Sequence, residues 1–232
     1  MSFQSFNFNF TNVAPSIGEV LEYIRSADLE NDHPAVLFTQ QIVQNLSIDN
    51  GISGGYMICN VDSLQTKEGL LRIGTRELNL GGQVCNYIKE AKQIALFVCT
   101  ASESFTTLSN ELNEKGDVME AYIVDAIGSL TVENTMDRIQ EQLRISMNKS
   151  GWEISNRYSP GYCNWPLSDQ KNLFEIIGNN STEITINDSC LMTPRKSISG
   201  IIGIGKKLKR HEYGCKICTN DHCIYRKLTV EN

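Results

Sequence analysis

The sequence predicts a single domain of the α+β class, and three observations support this prediction. Short apolar segments that are typical of buried strands alternate with amphipathic segments that are typical of helices. One amphipathic segment, residues 117 to 147, keeps helical spacing of its apolar residues throughout, which predicts a single long helix. No internal repeat or linker divides the 232 residues, so one folding unit is the simplest arrangement.

The composition is that of a folded globular protein, and it excludes several functional classes. Hydrophobic residues make up 41% and charged residues 21% of the chain, and the net charge is −6. A broad basic surface for duplex nucleic acid is therefore absent, although residues 206 to 210 form a local basic run. The amino terminus lacks a signal-peptide pattern, and no apolar run reaches the ~18 residues of a membrane span. We expect a cytoplasmic protein that binds neither nucleic acid nor membranes.

Hydrophobic spacing predicts the elements of the first hundred residues. A Pro-Ser pair opens a segment with apolar residues at helical spacing, which predicts a short helix within residues 15 to 30. Residues 33 to 38, 56 to 61 and 93 to 101 are apolar runs between polar or glycine-rich connections. We predict a short buried strand at each of these three runs.

Residues 117 to 147 carry the clearest helical pattern in the chain. Apolar residues recur there at steps of three and four, with one change of phase. We predict a long helix that bends near Gly128. Glu133 lies three residues from an apolar neighbour on either side, which places its carboxylate toward the apolar side of the helix. Such a carboxylate either meets a partner or reaches solvent at the flank of the helix.

After the Trp-Pro pair, the sequence predicts a helix and two strands. Ser168 can cap a helix over residues 169 to 177, and Gly178 follows its end. Residues 182 to 188 and 197 to 204 have the composition of strands. The segment GIIGIGKK partly fits a phosphate-binding loop, but it ends in lysine where that loop needs a hydroxyl, and it is rich in isoleucine. We therefore interpret it as a glycine-containing strand.

The stretch RYSPGYCNWP, residues 157 to 166, predicts a stiff turn with an unusual pair of side chains. Two prolines and a glycine restrict or direct the backbone, while Arg157 and Tyr162 flank the Pro-Gly pair. A turn that only links two elements has no need of a cation and a phenol at these positions. We interpret Arg157 and Tyr162 as candidate binding residues.

The eight cysteines divide into two groups. Three of them have the spacing C-x2-C-x4-C, which supplies three thiolate ligands for zinc or an iron-sulfur cluster; the alternative is three free thiols. The other five lie among apolar residues, where a free thiol packs as a small hydrophobe. None of the three histidines belongs to a nucleophile motif, so no catalytic residue is predicted. The candidate metal ligands are Cys215, Cys218 and Cys223, and the remaining cysteines are Cys59, Cys85, Cys99, Cys163 and Cys190.

Four segments, in this order, resemble the activation domain of cobalamin-dependent methionine synthase. They are the long helix, RYSPGY, SDQKNLFEII and LMTPRKSISG, and the resemblance extends from about Phe97 to Gly205. It implies a bent, mainly antiparallel sheet flanked by helices, which we place at residues 1 to 210. The cysteine-rich segment at residues 211 to 232 is foreign to the form of the domain that is fused to a complete synthase. The resemblance also implies a function, the reductive reactivation of a cobalamin-dependent methionine synthase.

The resemblance also implies a ligand site. The R-x-x-x-G-Y pattern of the family lies against S-adenosylmethionine, and a guanidinium can fork onto the amino-acid carboxylate of that ligand. A glutamate of the family's long helix helps to form the same site, and a carboxylate suits the ammonium or sulfonium group. The residues that the resemblance assigns to the ligand here are Glu133, Arg157, Ser159, Pro160, Gly161, Tyr162 and, in place of a later tyrosine, Tyr213.

The same resemblance implies the partners. We expect a separate chain to hold the cobalamin and a flavodoxin-like protein to donate an electron. The spacing of the three carboxy-terminal cysteines, and not the resemblance, offers an alternative donor, an iron-sulfur cluster bound by them. We expect this chain to act as a freestanding activation subunit of methyltransferase type, because the sequence has no cobalamin domain. The alternative is a non-catalytic module that docks on or regulates a corrinoid protein. It is favoured by the replacement of family aromatic residues by Ile201, Ile202 and Gly203, and by the lack of an aspartate match in residues 1 to 40.

Overall fold

A computed structural model describes residues 2–46, 51–179 and 182–209. Within these ranges, no helix is both long and apolar enough to cross a membrane. The helices and strands follow one another along the chain as β1 (Phe3–Phe8), α1 (Phe10–Val13), α2 (Ile17–Tyr23), α3 (Pro34–Asn45), β2 (Ile52–Asn60), β3 (Ser63–Gln65), β4 (Leu70–Ile73), β5 (Arg76–Asn79), α4 (Gly81–Tyr87), β6 (Gln93–Ala101), α5 (Ser104–Lys115), α6 (Val118–Asn148), β7 (Glu153–Tyr158), α7 (Asp169–Ile177), β8 (Thr185–Ile186), β9 (Met192–Thr193) and β10 (Ser197–Gly205).

Five strands form the central sheet in the order β1-β2-β6-β10-β7, and every neighbouring pair is antiparallel. Strands β6 and β10 coincide with predicted strands, and β2 contains most of the strand predicted at residues 56 to 61. A smaller antiparallel sheet, β3-β4-β5, and the short pair β8-β9 complete the strands of the described ranges. The α+β class and the mainly antiparallel sheet are therefore confirmed.

Helices and the small sheet cover the two faces of the central sheet, because side chains alternate along each strand. Phe97 and Cys99 of β6 point to one core, which contains residues of α1, α2, α3, α5 and α6. Leu96 and Val98 point to the other core, which contains residues of α4, α7, β4 and β5. We call these the α6 face and the α4 face. A strand buried on both faces is continuously apolar, which explains why β6 is readable from sequence.

The long helix α6 dominates its face of the sheet. It is continuous through Gly128 and spans 31 residues, which confirms the predicted long helix. Its buried residues recur at three- and four-residue steps, as an amphipathic helix requires. At its amino-terminal end it packs beside α5, where the Ser109 hydroxyl donates to the Ala121 carbonyl at 2.9 Å.

The amino-terminal helices differ in part from the prediction. The helix predicted within residues 15 to 30 is the shorter α2, which begins at a capping box formed by Ser16 and Glu19. The strand predicted at residues 33 to 38 is wrong, because this segment opens helix α3. Pro34 occupies the first helical position, and Nδ1 of His33 accepts a hydrogen bond from the Ala35 amide at 3.1 Å.

The carboxy-terminal half follows the predicted order with shorter elements. Helix α7 lies where it was predicted, with Gly178 after its end at φ +61°. Ser168 does occupy the N-cap position, but its hydroxyl makes no capping hydrogen bond. The strand predicted at residues 182 to 188 is reduced to the two residues of β8. The GIIGIGKK segment is strand through Gly205, as interpreted from sequence.

A bulge between β7 and β10 decides which way Arg157 points. Ile202 pairs with Arg157 and Ile204 pairs with Ile154, so the single residue Gly203 faces two residues of β7. The Ser155 hydroxyl accepts a hydrogen bond from the Gly203 amide at 2.8 Å within the bulge. In a regular strand, residues three apart point to opposite faces. The extra residue puts Arg157 on the same α6 face as Ile154.

Gly200 of β10 permits the close approach of β7. A Cβ at this position would overlap the Tyr158 carbonyl oxygen and would lie 2.8 Å from Cζ of Phe97. Backbone and a fully buried ring cannot both move away without displacing the strand that carries Arg157.

We expect Gly200→Ala to lower the free energy of unfolding by about 1 to 3 kcal/mol, because it overpacks the sheet. The matched control is Gly18→Ala in α2, where a Cβ would meet nothing within 4 Å. The control should be neutral or stabilising, since alanine favours helix. Chemical denaturation of the three proteins measures both effects, and equal midpoints for the two variants would contradict the packing argument.

Candidate functional site

The candidate site forms where β7 faces α6, and its centre is an ion pair between them. Nη2 of Arg157 lies 3.2 Å from Oε2 of Glu133 and 3.0 Å from Oδ1 of Asp137. The Arg157 side chain is only 14% exposed, whereas those of Glu133 and Asp137 are 53% and 58% exposed. One partly buried guanidinium therefore holds two carboxylates that stand one helical turn apart.

The two carboxylates belong to a polar stripe along α6. Asp125, Ser129, Glu133 and Asp137 follow one another at intervals of four residues, which places them on one side of the helix. At the other end of the stripe, Nζ of Lys196 lies 2.7 Å from Oδ1 of Asp125 and 2.9 Å from the Ser129 hydroxyl. In the described part of the chain, two cations therefore pair with this stripe, one with a single carboxylate and one with two.

Burial raises the pKa of the Glu133 carboxyl above its ordinary value, because the charged form loses hydration beside the α6 face. Arg157 opposes this rise, and the negative charge of Asp137 adds to it. The folded protein thus holds the Glu133 proton more tightly than the unfolded chain does. The charge of Glu133 is a cost to folding that Arg157 offsets only in part.

The turn after Arg157 is held by its own backbone hydrogen bonds. The Gly161 amide donates to the Trp165 carbonyl at 2.8 Å, and the Trp165 amide donates to the Tyr162 carbonyl at 2.9 Å. Gly161 has φ +92°, a conformation that other residues rarely adopt. Cys163 and Asn164 also have positive φ angles, so three of the turn's residues are left-handed.

A buried carboxylate fastens this turn to the rest of the domain. Asp169 accepts hydrogen bonds from Nε1 of Trp165 at 3.0 Å, from Nδ2 of Asn172 at 3.0 Å and from the Asn79 amide. Trp165 itself is 1% exposed in the α4 core. The turn is therefore anchored at one end by Trp165 and at the other by β7. Tyr162 lies between these anchors and is 71% exposed.

A small pocket of about 200 Å³ opens beside Asp137. Nδ2 of Asn134 donates to the Val13 carbonyl at 3.3 Å and ties the amino-terminal segment to α6 at this point. Residues of the amino-terminal segment thereby line the pocket next to the candidate site. The pocket is lined by Asn12, Val13, Ala14, Asn134, Asp137 and Arg138.

The structure joins some of the sequence-predicted residues and leaves others untested. Glu133 contacts Arg157, and the residues from Ser159 to Tyr162 follow directly in the turn. Tyr213 lies outside the described residues. Asp137 was missed, although its position four residues after Glu133 on a predicted helix was a usable signal.

The predicted metal ligands Cys215, Cys218 and Cys223 also lie outside the described ranges, so zinc or iron-sulfur binding stays a prediction. Inside those ranges, no group of three or more histidine, cysteine or acidic side chains could hold a metal ion.

The other cysteines behave as structural residues. Cys59, Cys85, Cys99 and Cys190 are buried free thiols, and Cys163 is half-buried. Burial raises the pKa of Cys85 to about 11 and also raises those of Cys59 and Cys99. A thiol with a raised pKa stays protonated at neutral pH and is a poor nucleophile. The interpretation of these thiols as packing residues is confirmed for the four that are buried.

Comparison with known proteins gives a family and a fold. Residues 77–227 match the family described as vitamin B12 dependent methionine synthase, activation domain. No curated protein matches the chain. A solved structure, "Crystal Structure of the MetH Reactivation Domain bound to AdoHcy", superposes with a TM-score of 0.64 at 12% identity. The alignment covers 91% of this chain and 81% of that chain, so the two share a fold.

Glu133→Gln tests the electrostatics of the ion pair. Because the folded state raises the pKa of Glu133, stability from this residue is lost as pH rises through that pKa. The substitution removes the charge, and Asp137 still pairs with Arg157. We expect a melting temperature equal to or above wild type at pH 7, with the difference shrinking near pH 4, close to the unfolded pKa of about 4.3.

Thermal unfolding followed by circular dichroism at both pH values measures this difference. Glu141→Gln is the control, because Glu141 forms an exposed pair with Arg144 at 2.6 Å that solvent screens. A Glu133→Gln protein that melts clearly below wild type at pH 7 would contradict the argument.

Proposed function

The chain belongs to the family of activation domains of vitamin B12 dependent methionine synthase, and from this premise we propose that it binds S-adenosylmethionine between α6 and β7. The proposed task is the reductive reactivation of a cobalamin-dependent methionine synthase, a partner chain that holds the cobalamin. The observation that carries the proposal is the contact between Arg157 and Glu133. The two residues come from segments 24 positions apart in sequence, and both were assigned to the ligand by resemblance.

The charges of the site fit the amino-acid part of this ligand. The carboxylate of S-adenosylmethionine can fork onto the guanidinium of Arg157, and the carboxylates of α6 suit the ammonium and sulfonium groups. Arg157 is partly buried, so a charge-assisted hydrogen bond there is stronger than one in open water. The site thus offers a counter-charge for each ionised group of the ligand.

The turn from Ser159 to Tyr162 suits the remainder of the ligand. Gly161 has no side chain that would keep a ligand away from the backbone, and glycine adopts its positive φ without strain. The exposed ring of Tyr162 offers a face for stacking and a hydroxyl for hydrogen bonding. Because Trp165 and Asp169 fix the turn, these groups are positioned before the ligand arrives.

The chain would contribute orientation to the methyl transfer. When bound by the partner and reduced by one electron, the cobalamin supplies a nucleophile that takes the methyl group and leaves S-adenosylhomocysteine. Holding the sulfonium in a fixed direction converts a bimolecular encounter into a local one. Neither proton transfer nor a side-chain nucleophile is needed for this step, which agrees with the absence of a predicted catalytic residue. We propose a flavodoxin-like protein as the electron donor.

Arg157→Ala should weaken S-adenosylmethionine binding by on the order of 1.5 to 3 kcal/mol, or roughly ten- to a hundredfold, because a charge-assisted contact is lost. Isothermal titration calorimetry measures the affinity. Lys196→Met is the matched control, since Lys196 is a similarly buried cation that pairs with the same helix. Asp125 and Glu133 stand eight residues apart, about 12 Å along α6, so this control should leave binding unchanged.

Arg157→Lys separates charge from shape, because lysine keeps the charge but cannot fork onto a carboxylate. It should bind more weakly than wild type and at least as tightly as Arg157→Ala. Circular dichroism of each variant excludes a general loss of fold. Wild-type protein that shows no saturable heat with S-adenosylmethionine, and no competition by S-adenosylhomocysteine, would favour the alternative of a non-catalytic docking or regulatory module.

A further inference from the structure

The two ion-pair clusters on the polar stripe of α6, one around Lys196 and one around Arg157, differ in net charge. Lys196 meets one carboxylate, Asp125, so this pair is neutral. Arg157 meets two carboxylates, Glu133 and Asp137, so this cluster carries one surplus negative charge at neutral pH. Both clusters lie on the polar stripe of α6, and their two cations are buried to a similar degree. The surplus is therefore a property of the candidate site and not of the helix as a whole.

Among the residues that the structure describes, other charged groups near the cluster do not remove this surplus. Arg138 is the next residue on α6 and lines the pocket together with Asp137, but consecutive residues of a helix do not face each other. The charges that act on the Glu133 carboxyl are those of Arg157 and Asp137. Glu141, one turn beyond Asp137, forms a pair of its own with Arg144.

We propose that Asp137 is a specificity-determining residue that makes the site prefer the cationic sulfonium of S-adenosylmethionine over the neutral thioether of S-adenosylhomocysteine. This inference rests on the proposed function. The ligand carboxylate pairs with Arg157, which leaves Glu133 and Asp137 to face the ligand's positive groups. The methyl donor brings two such groups, an ammonium and a sulfonium, and balances both carboxylates. The thioether product brings only the ammonium and leaves one carboxylate unbalanced.

The consequence is that methyl transfer itself weakens binding. When the methyl group leaves as the equivalent of CH3+, the sulfur becomes a neutral thioether. The occupied site then carries one surplus negative charge again. A product that binds less well than the substrate leaves the site more quickly. Because Glu133 and Asp137 are about half exposed, solvent screens the effect, and a preference on the order of tenfold is the expected size.

Calorimetric titration of Asp137→Asn with three ligands tests the inference. The ligands are S-adenosylmethionine, S-adenosylhomocysteine and sinefungin, in which a protonated amine replaces the sulfonium. Sinefungin separates the charge from the chemistry of the methyl group. In wild type, the two cationic ligands should bind on the order of tenfold more tightly than S-adenosylhomocysteine. In Asp137→Asn, that ratio should fall close to one, with thioether affinity kept or improved.

Glu141→Gln is the control for a general change of charge on α6. It removes one carboxylate a single turn further along, so its affinity ratio should stay within about twofold of wild type. Equal weakening of all three ligands by Asp137→Asn would overturn the inference while leaving the proposed ligand and function in place. Failure of all three ligands to bind wild type would overturn both.

Discussion

The site depends on one local constraint, the bulge that turns Arg157 toward α6. Without the bulge opposite Gly203, regular pairing of β7 with β10 would point the side chain of Arg157 to the α4 face, away from Glu133 and Asp137. Gly200 adds a second requirement, since it lets the backbone of Tyr158 approach β10 closely. The ion pair therefore forms only in this register of the sheet, and a shift of β7 by one residue would separate Arg157 from both carboxylates.

The elements that can be predicted from the sequence are those that are buried on both faces or that keep their apolar spacing over many residues. Helix α6 is readable because its apolar spacing persists over 31 residues, and β6 is readable because both of its faces are buried. The segment at residues 33 to 38 was misassigned because a short apolar run fits either element. There, Pro34 at the first helical position was the deciding signal. Strand β1 was overlooked although phenylalanines recur along it.

The candidate site was less accessible to sequence reasoning than the fold. Arg157 was identified from the turn chemistry around it, but its partner came only from a family resemblance. The reason is physical, because a β-bulge has no dependable sequence signature and reverses the side-chain direction that strand periodicity predicts. Asp137 was within reach, since residues four apart on a predicted helix share a side. The sequence pattern alone, however, does not indicate that the site needs a second carboxylate.

The contrast between the two cations that meet α6 argues that the second carboxylate has a use beyond folding. A neutral pair is enough to fasten the helix, as Lys196 and Asp125 demonstrate at a similar depth. At Arg157, burial raises the pKa of Glu133 and the charge of Asp137 adds to that rise, which increases the cost of keeping Glu133 ionised. If the stripe served only to pack α6 against the sheet, the repulsion between Glu133 and Asp137 would bring no benefit. A site that receives a ligand with one net positive charge would relieve it on binding, so the repulsion in the free protein becomes part of the affinity for that ligand.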